Sequence, residues 1–285
     1  MVQLVDSDIR TREVLGWQGV HVLHFIGSSC SQKLRVFLNL KKIQWQSHSI
    51  DLPSNENMQP WFLGINPRGL VPVLVHDGAV HIESNDIIQY LEERFPTPRL
   101  IPAGHENEVA ALLKHEDDLH LDLRILSFRF VFAPLGPPKP AAALESYIAN
   151  GAGTVQGAKD REKQVQIEFW QRAAREGFTD AQARASALKF RDEFDALDKT
   201  LAKQAYLMGE DLSVLDIAWL IYEHRLSLAG YPFERLHPHF HSWAERLRAL
   251  PEFSKEISQI RHSAEQLDAV RRTQAGRTLE MIAGF

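Results

Sequence analysis

The chain has 285 residues, 44% of them hydrophobic and 24% charged, with a formal net charge of −5. That length accommodates two domains of ordinary size, and well-mixed charges describe a soluble, globular protein. The acidic balance argues against nucleic acid and anionic membrane as main partners, and no apolar run approaches the roughly 20 residues of a membrane span.

Met1 to Gly19 is charged and lacks an apolar secretory core, so the expected location is the cytoplasm. Val20 to Phe25 alternates apolar residues with histidine and predicts a strand. Ser28-Ser29-Cys30-Ser31-Gln32-Lys33 then forms a strand-to-helix turn carrying three hydroxyls and the only cysteine. Backbone amides and the positive end of a helix dipole favour an anion there, a thiolate included. A single cysteine excludes internal disulfides and cysteine-rich metal centres. Cys30 itself is either reactive or a small residue packed at the helix start.

Leu34, Phe37, Leu38 and Ile43 continue at helical spacing, and Trp45 to Ile50 alternates as a second strand. A short helix over Asn57 to Leu63 ends at the Asn66-Pro67-Arg68-Gly69 turn. Leu70 to Val75 is an apolar strand, Asp77-Gly78 a hairpin turn, and Ala79 to Ile82 its return strand. After Glu83-Ser84, helical spacing runs to Phe95-Pro96. The predicted order is β-α-β-α-β-β-α, with the parallel part first. Pro72 cannot donate to a strand ladder, so it belongs at a strand start or bend. A trans bond at an edge is the commoner state of X-Pro; a cis bond turns the preceding carbonyl and N–H toward a ligand.

The Ser/Cys turn, the Asn-Pro-x-Gly-x-Val-Pro strand and the Glu-Ser dipeptide, in this order over residues 20–95, resemble the glutathione transferases. The resemblance implies a thioredoxin-like N-terminal domain, a cis-proline loop at Pro72 and glutathione as cofactor. It implies that Val71 holds the cysteinyl backbone of glutathione and that Glu83 and Ser84 take its γ-glutamyl end. Ser84 is equally placed to act as a helix N-cap. Ser-Ser-Cys-Ser before a basic residue resembles the zeta class, which includes maleylacetoacetate isomerases and reductive dehalogenases. That likeness makes Ser28 the donor to the glutathione sulfur, with Ser29 and Ser31 beside it at the same turn. It sets Cys30 where dehalogenase relatives resolve a mixed disulfide. Leu70 stands where many relatives carry a polar side chain, so a side-chain contact from that member of the binding strand is lost.

From Glu108 onward the pattern is helical. Ala110, Leu113, Leu119, Leu123 and Leu126 predict one long helix, and Phe190, Phe194, Leu197 and Leu201 another. Ser213 and Asp216 form a capping-box pattern with Leu212 and Ile217 as its hydrophobic staple. After Gly209-Glu210-Asp211 this resembles the N-capping element of the glutathione transferase C-terminal domain, a structural feature. Ala133 to Pro140 cannot continue a helix, Asn150 to Thr154 is a second break, and Ala158 to Arg175 is a charged helix. Arg175-Glu176-Gly177-Phe178 resembles the end of a comparable segment in bacterial β-etherases. One expectation for this insertion is a rim or lid on the acceptor site; the other is a solvated elaboration. On the lid reading, deleting 134–157 changes acceptor turnover and spares glutathione affinity. The His115-to-Asp122 acidic-histidine run reads as a solvated face or cleft wall, and His237 to His241 as capping and packing, so no metal is expected.

The expected fold is an α/β thioredoxin-like domain followed by an all-α domain, the glutathione transferase fold. Residues 1–19 are read as an extension and 20–97 as the glutathione-binding domain. Residues 105–262 are read as a helical substrate domain with an insertion at about 133–178, and 263–285 as a helical tail. The expected catalytic residues are Ser28, Ser29 and Cys30; the expected glutathione contacts are Ser31, Leu70, Val71, Pro72, Glu83 and Ser84. The expected reaction is thiolate attack on a hydrophobic, aromatic-type electrophile, by conjugation or by ether or halide displacement, in a cytoplasmic homodimer. The alternatives are a glutathione-dependent isomerase, a Cys30-based thiol-disulfide lyase or reductive dehalogenase, and a non-catalytic interaction protein of the same fold.

Overall fold

The computed structural model describes residues 1–132, 139–258 and 277–285, together with 269 and 272. The proline-rich stretch at 133–138 and most of the expected tail at 263–285 lie outside the described residues. Two compact units emerge. One holds residues 1–97 and 139–177; the other holds 98–132 and 178 onward.

The first unit is built on a mixed sheet of order β1-β5-β4-β2-β3. In chain order it begins with β1 (Val2–Gln3), β2 (Val20–His24), helix α1 (Ser29–Lys41) and β3 (Gln46–Ser49). Helix α2 (Pro60–Leu63), the β4–β5 hairpin (Val73–His76, Ala79–Ile82) and α3 (Ser84–Arg94) follow. β2 pairs parallel with β3 and antiparallel with β4, so over residues 20–97 the β-α-β-α-β-β-α order read from periodicity is the order observed, with β1 as an additional strand ahead of it. Asp77 and Gly78 both take positive φ at the hairpin tip, as the Asp-Gly pair demands. The apolar face of the sheet buries Leu23, Val73, Val75, Val80 and Ile82 in one cluster with Ile50, Phe62 and Ile65.

Residues 1–19 dock on this sheet. β1 pairs antiparallel with β5 and so covers what would otherwise be an open edge. Leu4, Ile9 and Val14 join the same apolar cluster.

The second unit opens with α4 (Glu106–Asp118) and α5 (His120–Ser127), then one wide turn of π-helix at Phe128–Phe132. The single long helix expected here is therefore interrupted at Leu119, directly after the acidic pair Asp117-Asp118. Carboxylates at the negative end of a helix oppose its dipole, which is a physical reason for the break.

The chain then returns to the first unit with α6 (Ala141–Ala149), the β6–β7 ribbon (Thr154–Val155, Ala158–Lys159) and α7 (Glu162–Glu176). Read from sequence as an insertion in the helical domain, this segment groups instead with residues 1–97. Its anchors are specific. Tyr147 is fully buried and donates its hydroxyl to the Arg68 carbonyl at 2.6 Å. Lys139 donates to Asn55 Oδ1 at 2.6 Å, and Ser146 Oγ to the Met58 carbonyl at 3.1 Å. Asp8, in the N-terminal extension, accepts from Thr154 Oγ1 at 2.8 Å and from the Gly157 amide at 3.2 Å.

The second unit resumes with α8 (Asp180–Leu201), α9 (Val214–Leu228), α10 (Phe233–Leu236), α11 (Pro238–Arg248), α12 (Pro251–Ser258) and a short terminal helix, Leu279–Ala283. Helix α9 is buried on every face from Val214 to Leu226, as its near-continuous apolar sequence requires. The capping box read from sequence forms. Asp216 accepts from the Ser213 amide at 2.8 Å and hydroxyl at 2.7 Å, and also from the Leu207 amide at 2.9 Å and Trp243 Nε1 at 3.0 Å. Burial pushes the Asp216 carboxyl up while these donors favour its charged form.

Candidate active site

Three loops leave one end of the first unit's sheet, and register explains why. Leu23 of β2 pairs with Val73 of β4, and Val73 pairs with Ile82 of β5. The turn after β2, the loop before β4 and the Glu83-Ser84 step after β5 therefore emerge side by side. Residues predicted from positions 28, 72 and 84 share one edge.

The first loop is a helix N-terminus. Ser28 is the N-cap of α1, and its Oγ accepts from the Ser31 amide at 3.3 Å. The first intrahelical bond runs from the Gln32 amide to the Ser28 carbonyl at 2.8 Å, so the earlier amides lie at the positive end of a 13-residue helix. No acidic residue sits in that first turn to neutralise it. Ser28, Ser29 and Cys30 are half-buried there, whereas Ser31 is fully buried and its Oγ accepts from the Phe25 amide at 3.4 Å. Ser31 thus braces the turn from within.

Arg35 braces it as well, and sequence reading missed it. Its buried guanidinium donates to the carbonyls of Phe25 at 3.2 Å and Ile26 at 3.0 Å. It also meets His24 Nδ1 at 3.2 Å, which leaves Nε2 of that ring to face Ser47 Oγ at 2.7 Å. The available signal was its position, two turns into an amphipathic helix on the apolar side. A buried arginine needs acceptors, and loop carbonyls are the nearest supply.

The second loop carries a cis Val71–Pro72 bond. β4 starts only at Val73, so Leu70, Val71 and Pro72 lie ahead of the ladder. Asn66 and Asn57 hold this loop by donating Nδ2 to the carbonyls of Leu70 at 2.8 Å and Gly69 at 2.7 Å.

The third element is Glu83-Ser84. Glu83 takes a positive φ of 66° as the residue before α3, an unusual conformation for a side chain other than glycine. Ser84 is buried at the first position of α3. Arg68 Nη1 donates to Glu83 Oε1 at 2.5 Å. On its other edge Arg68 makes a two-bond fork to Asp160, Nε to Oδ2 at 3.0 Å and Nη2 to Oδ1 at 2.9 Å. Burial works against the charged guanidinium, but the two carboxylates outweigh it and raise its pKa above the ordinary arginine range.

This edge suits a ligand with a carboxylate, an amine and an ionisable group. Two helix N-termini attract anions, and a carboxylate beside the second attracts a cation.

Residues 27–94 match the family model described as "Glutathione S-transferase, N-terminal domain". Glutathione S-transferase 1 of Dianthus caryophyllus is 42% identical over 85 residues, 30% of this chain and 38% of that protein. The match therefore spans under half the length of that curated relative. A probable maleylacetoacetate isomerase of Vibrio cholerae is 27% identical over 237 residues, covering 80% of this chain and 90% of the relative. The crystal structure of the β-etherase LigF from Sphingobium sp. strain SYK-6 superposes with a TM-score of 0.71 at 25% identity, over 85% of this chain and 100% of LigF. The fold is that of the glutathione S-transferases. The part that matches the family model, residues 27–94, contains or adjoins the three loops of the shared edge.

The acidic-histidine run of the second unit is distributed among separate partners. His115 meets Glu193 at 2.8 Å, His120 meets the Tyr222 hydroxyl at 3.2 Å, and Asp122 accepts from Ser186 and Lys189. Among the described residues no three histidine, cysteine or acidic side chains form a group that could hold a metal ion. His237 is buried against Tyr231, whose hydroxyl lies 2.9 Å from Nε2, a packing role.

Proposed function

We propose that the protein is a glutathione transferase that presents the glutathione sulfur at Ser28 and the first turn of α1. The observation that carries this is the Leu23–Val73–Ile82 row, which brings the Ser28 turn, the cis Val71–Pro72 loop and Glu83-Ser84 to one edge. When bound, glutathione supplies a thiol whose thiolate attacks the electrophile. Ser28 donates its hydroxyl hydrogen to the sulfur while its oxygen still accepts from the Ser31 amide, since a hydroxyl can do both. A donor and a helix N-terminus together favour thiolate over thiol and lower the pKa from about 8.5 toward neutrality. Val71 offers its backbone to the cysteinyl unit. Ser84 and the start of α3 take the γ-glutamyl carboxylate, and Glu83 takes the γ-glutamyl amine. Cys30, the second residue of the helix, shares the same positive potential; a resolving role for its thiol belongs to the alternative thiol-disulfide reading and is not required here.

The electrophile we favour is hydrophobic and aromatic in type, attacked by conjugation or by displacement of an aryl ether or halide. The β-etherase likeness across the whole length of LigF supports this. Glutathione-dependent isomerisation is the second reading, favoured by the match to the probable maleylacetoacetate isomerase over 90% of its length. In this reading the protein is a cytoplasmic homodimer; among the described residues no helix is long and apolar enough to cross a membrane. The test is turnover of a chlorinated nitroarene, a β-aryl ether and a maleyl acid, each with glutathione. Ether or arene turnover with inert maleyl acid supports the first reading. Turnover of the maleyl acid alone moves the assignment to the isomerase, and failure to bind glutathione ends both.

A further inference from the structure

One arginine connects the 139–177 segment to Glu83. Asp160 is 92 residues beyond Arg68, in the turn that opens α7, yet it makes the two-bond fork described above. Side-chain exposure rises along the series, from 7% at Asp160 through 11% at Arg68 to 33% at Glu83. Two carboxylates share one guanidinium, Asp160 is also close enough to act electrostatically on Lys163, and Glu83 is the most solvent-facing member of the group. A lone Arg68–Glu83 pair would be neutral and would offer a cation little. With Asp160 engaging the other edge of Arg68, the guanidinium is divided between two carboxylates and neutralises Glu83 less completely, so an ammonium group can meet the Glu83 charge. The same segment fixes the backbone of Arg68 through the Tyr147 hydroxyl. The guanidinium is thus held at both ends of its residue, from one insertion.

We propose that Asp160 is a positioning residue for the amine of the γ-glutamyl group. Acting through Arg68, it sets the orientation of Glu83 and how far Arg68 neutralises it, so that the 139–177 segment controls glutathione affinity. This rests on the glutathione reading above. It also shifts the segment's expected role from the acceptor to the cofactor.

Asp160→Asn tests the idea: the amides of Glu162 and Lys163 donate at 3.4 Å to the two separate Asp160 oxygens, and asparagine keeps one acceptor oxygen for this capping while it breaks the two-bond fork to Arg68. Calorimetry would compare glutathione with glutaryl-cysteinyl-glycine, which lacks only the amine, on the parent protein, Asp160→Asn and Asp160→Glu. The expected result is about a tenfold weaker affinity of Asp160→Asn for glutathione and a change within about twofold for the analogue. Asp160→Glu should recover part of the loss, and kcat at saturating glutathione should stay within about twofold. Tyr147→Phe, which loses only the hydroxyl, should show the same ligand preference at smaller size. A parent that binds glutathione while Asp160→Asn binds it equally well overturns the proposal. So does equal weakening of both ligands, which would assign Asp160 to general stability. A parent that binds neither ligand overturns the underlying site reading instead.

Discussion

Gly69→Ala probes how the 139–177 segment and the cis-proline loop are joined. Gly69 has φ of +64°, and a Cβ built there would lie 2.8 Å from Tyr147 Cε2, 3.1 Å from the Asn57 carbonyl oxygen and 3.1 Å from Leu63 Cδ2. The left-handed backbone costs an alanine about 1–2 kcal/mol. Forcing a methyl against a buried ring and a backbone oxygen adds about 1–3 kcal/mol, because Tyr147 is fully buried and tied to Arg68. The total, about 2–5 kcal/mol, corresponds to a fall in Tm on the order of 10 °C for a unit of this size. Thermal unfolding followed by near-ultraviolet circular dichroism measures it. Gly69→Ala in a Tyr147→Ala background should add only the backbone part and the milder contacts, so the two changes should be strongly non-additive. A Gly69→Ala protein melting within about 1 °C of the parent would refute the reasoning, since neither the turn conformation nor the contact with Tyr147 could then be as described.

Shortening the segment by removing 134–157 deletes Tyr147 and Thr154, so it should weaken glutathione retention on an affinity matrix. Unchanged retention with altered acceptor turnover would restore the lid reading. His81, stacked on Tyr90 with centroids 3.9 Å apart, has its imidazole pKa pushed down to about 4, by burial first and then by the charges of His76, Arg94 and the N-terminus. Between pH about 6.5 and about 4 the unfolded chain holds a proton that the folded chain excludes, so stability is full above pH 6.5 and declines as pH falls through that window. The decline should reach about 2–3 kcal/mol after allowance for partial solvation. His81→Phe should flatten this part of the urea-unfolding pH profile, and an unchanged slope would contradict it.

The first unit was legible where chemistry is local. Alternation at Val20–His24, the Asp77-Gly78 turn and the apolar spacing of α1 and α3 each fixed an element, and the positions of Ser28, Pro72 and Ser84 followed. The capping box at Ser213 and Asp216 was legible for the same reason, since both partners lie within one turn. What stayed hidden depends on distant partners. The Arg68–Asp160 pair leaves no periodic trace across 92 residues. Residues 1–19 form a two-residue strand and short 3₁₀ turns, too brief to show a period, yet Leu4, Ile9 and Val14 complete the core. Tyr147 sits among alanines on a helix whose sequence does not reveal which unit it will join. The break at Leu119 was obscured because apolar spacing continues through it while the acidic pair before it opposes the helix.

The central claim is that Ser28 activates the glutathione sulfur and that Cys30 is not the nucleophile. Its most direct measurement is the pH titration of the thiolate ultraviolet absorbance of glutathione bound to the parent, Ser28→Ala and Cys30→Ser. If Ser28 holds the thiol pKa near 7, losing its hydroxyl returns the thiol toward about 8.5, and the thiolate fraction at pH 7 drops from about one half to about 3%. The account predicts that shift, with a matching loss of turnover of about 15-fold, for Ser28→Ala, and an unshifted titration with turnover intact for Cys30→Ser. An unshifted Ser28→Ala titration, with activity lost in Cys30→Ser, would contradict it.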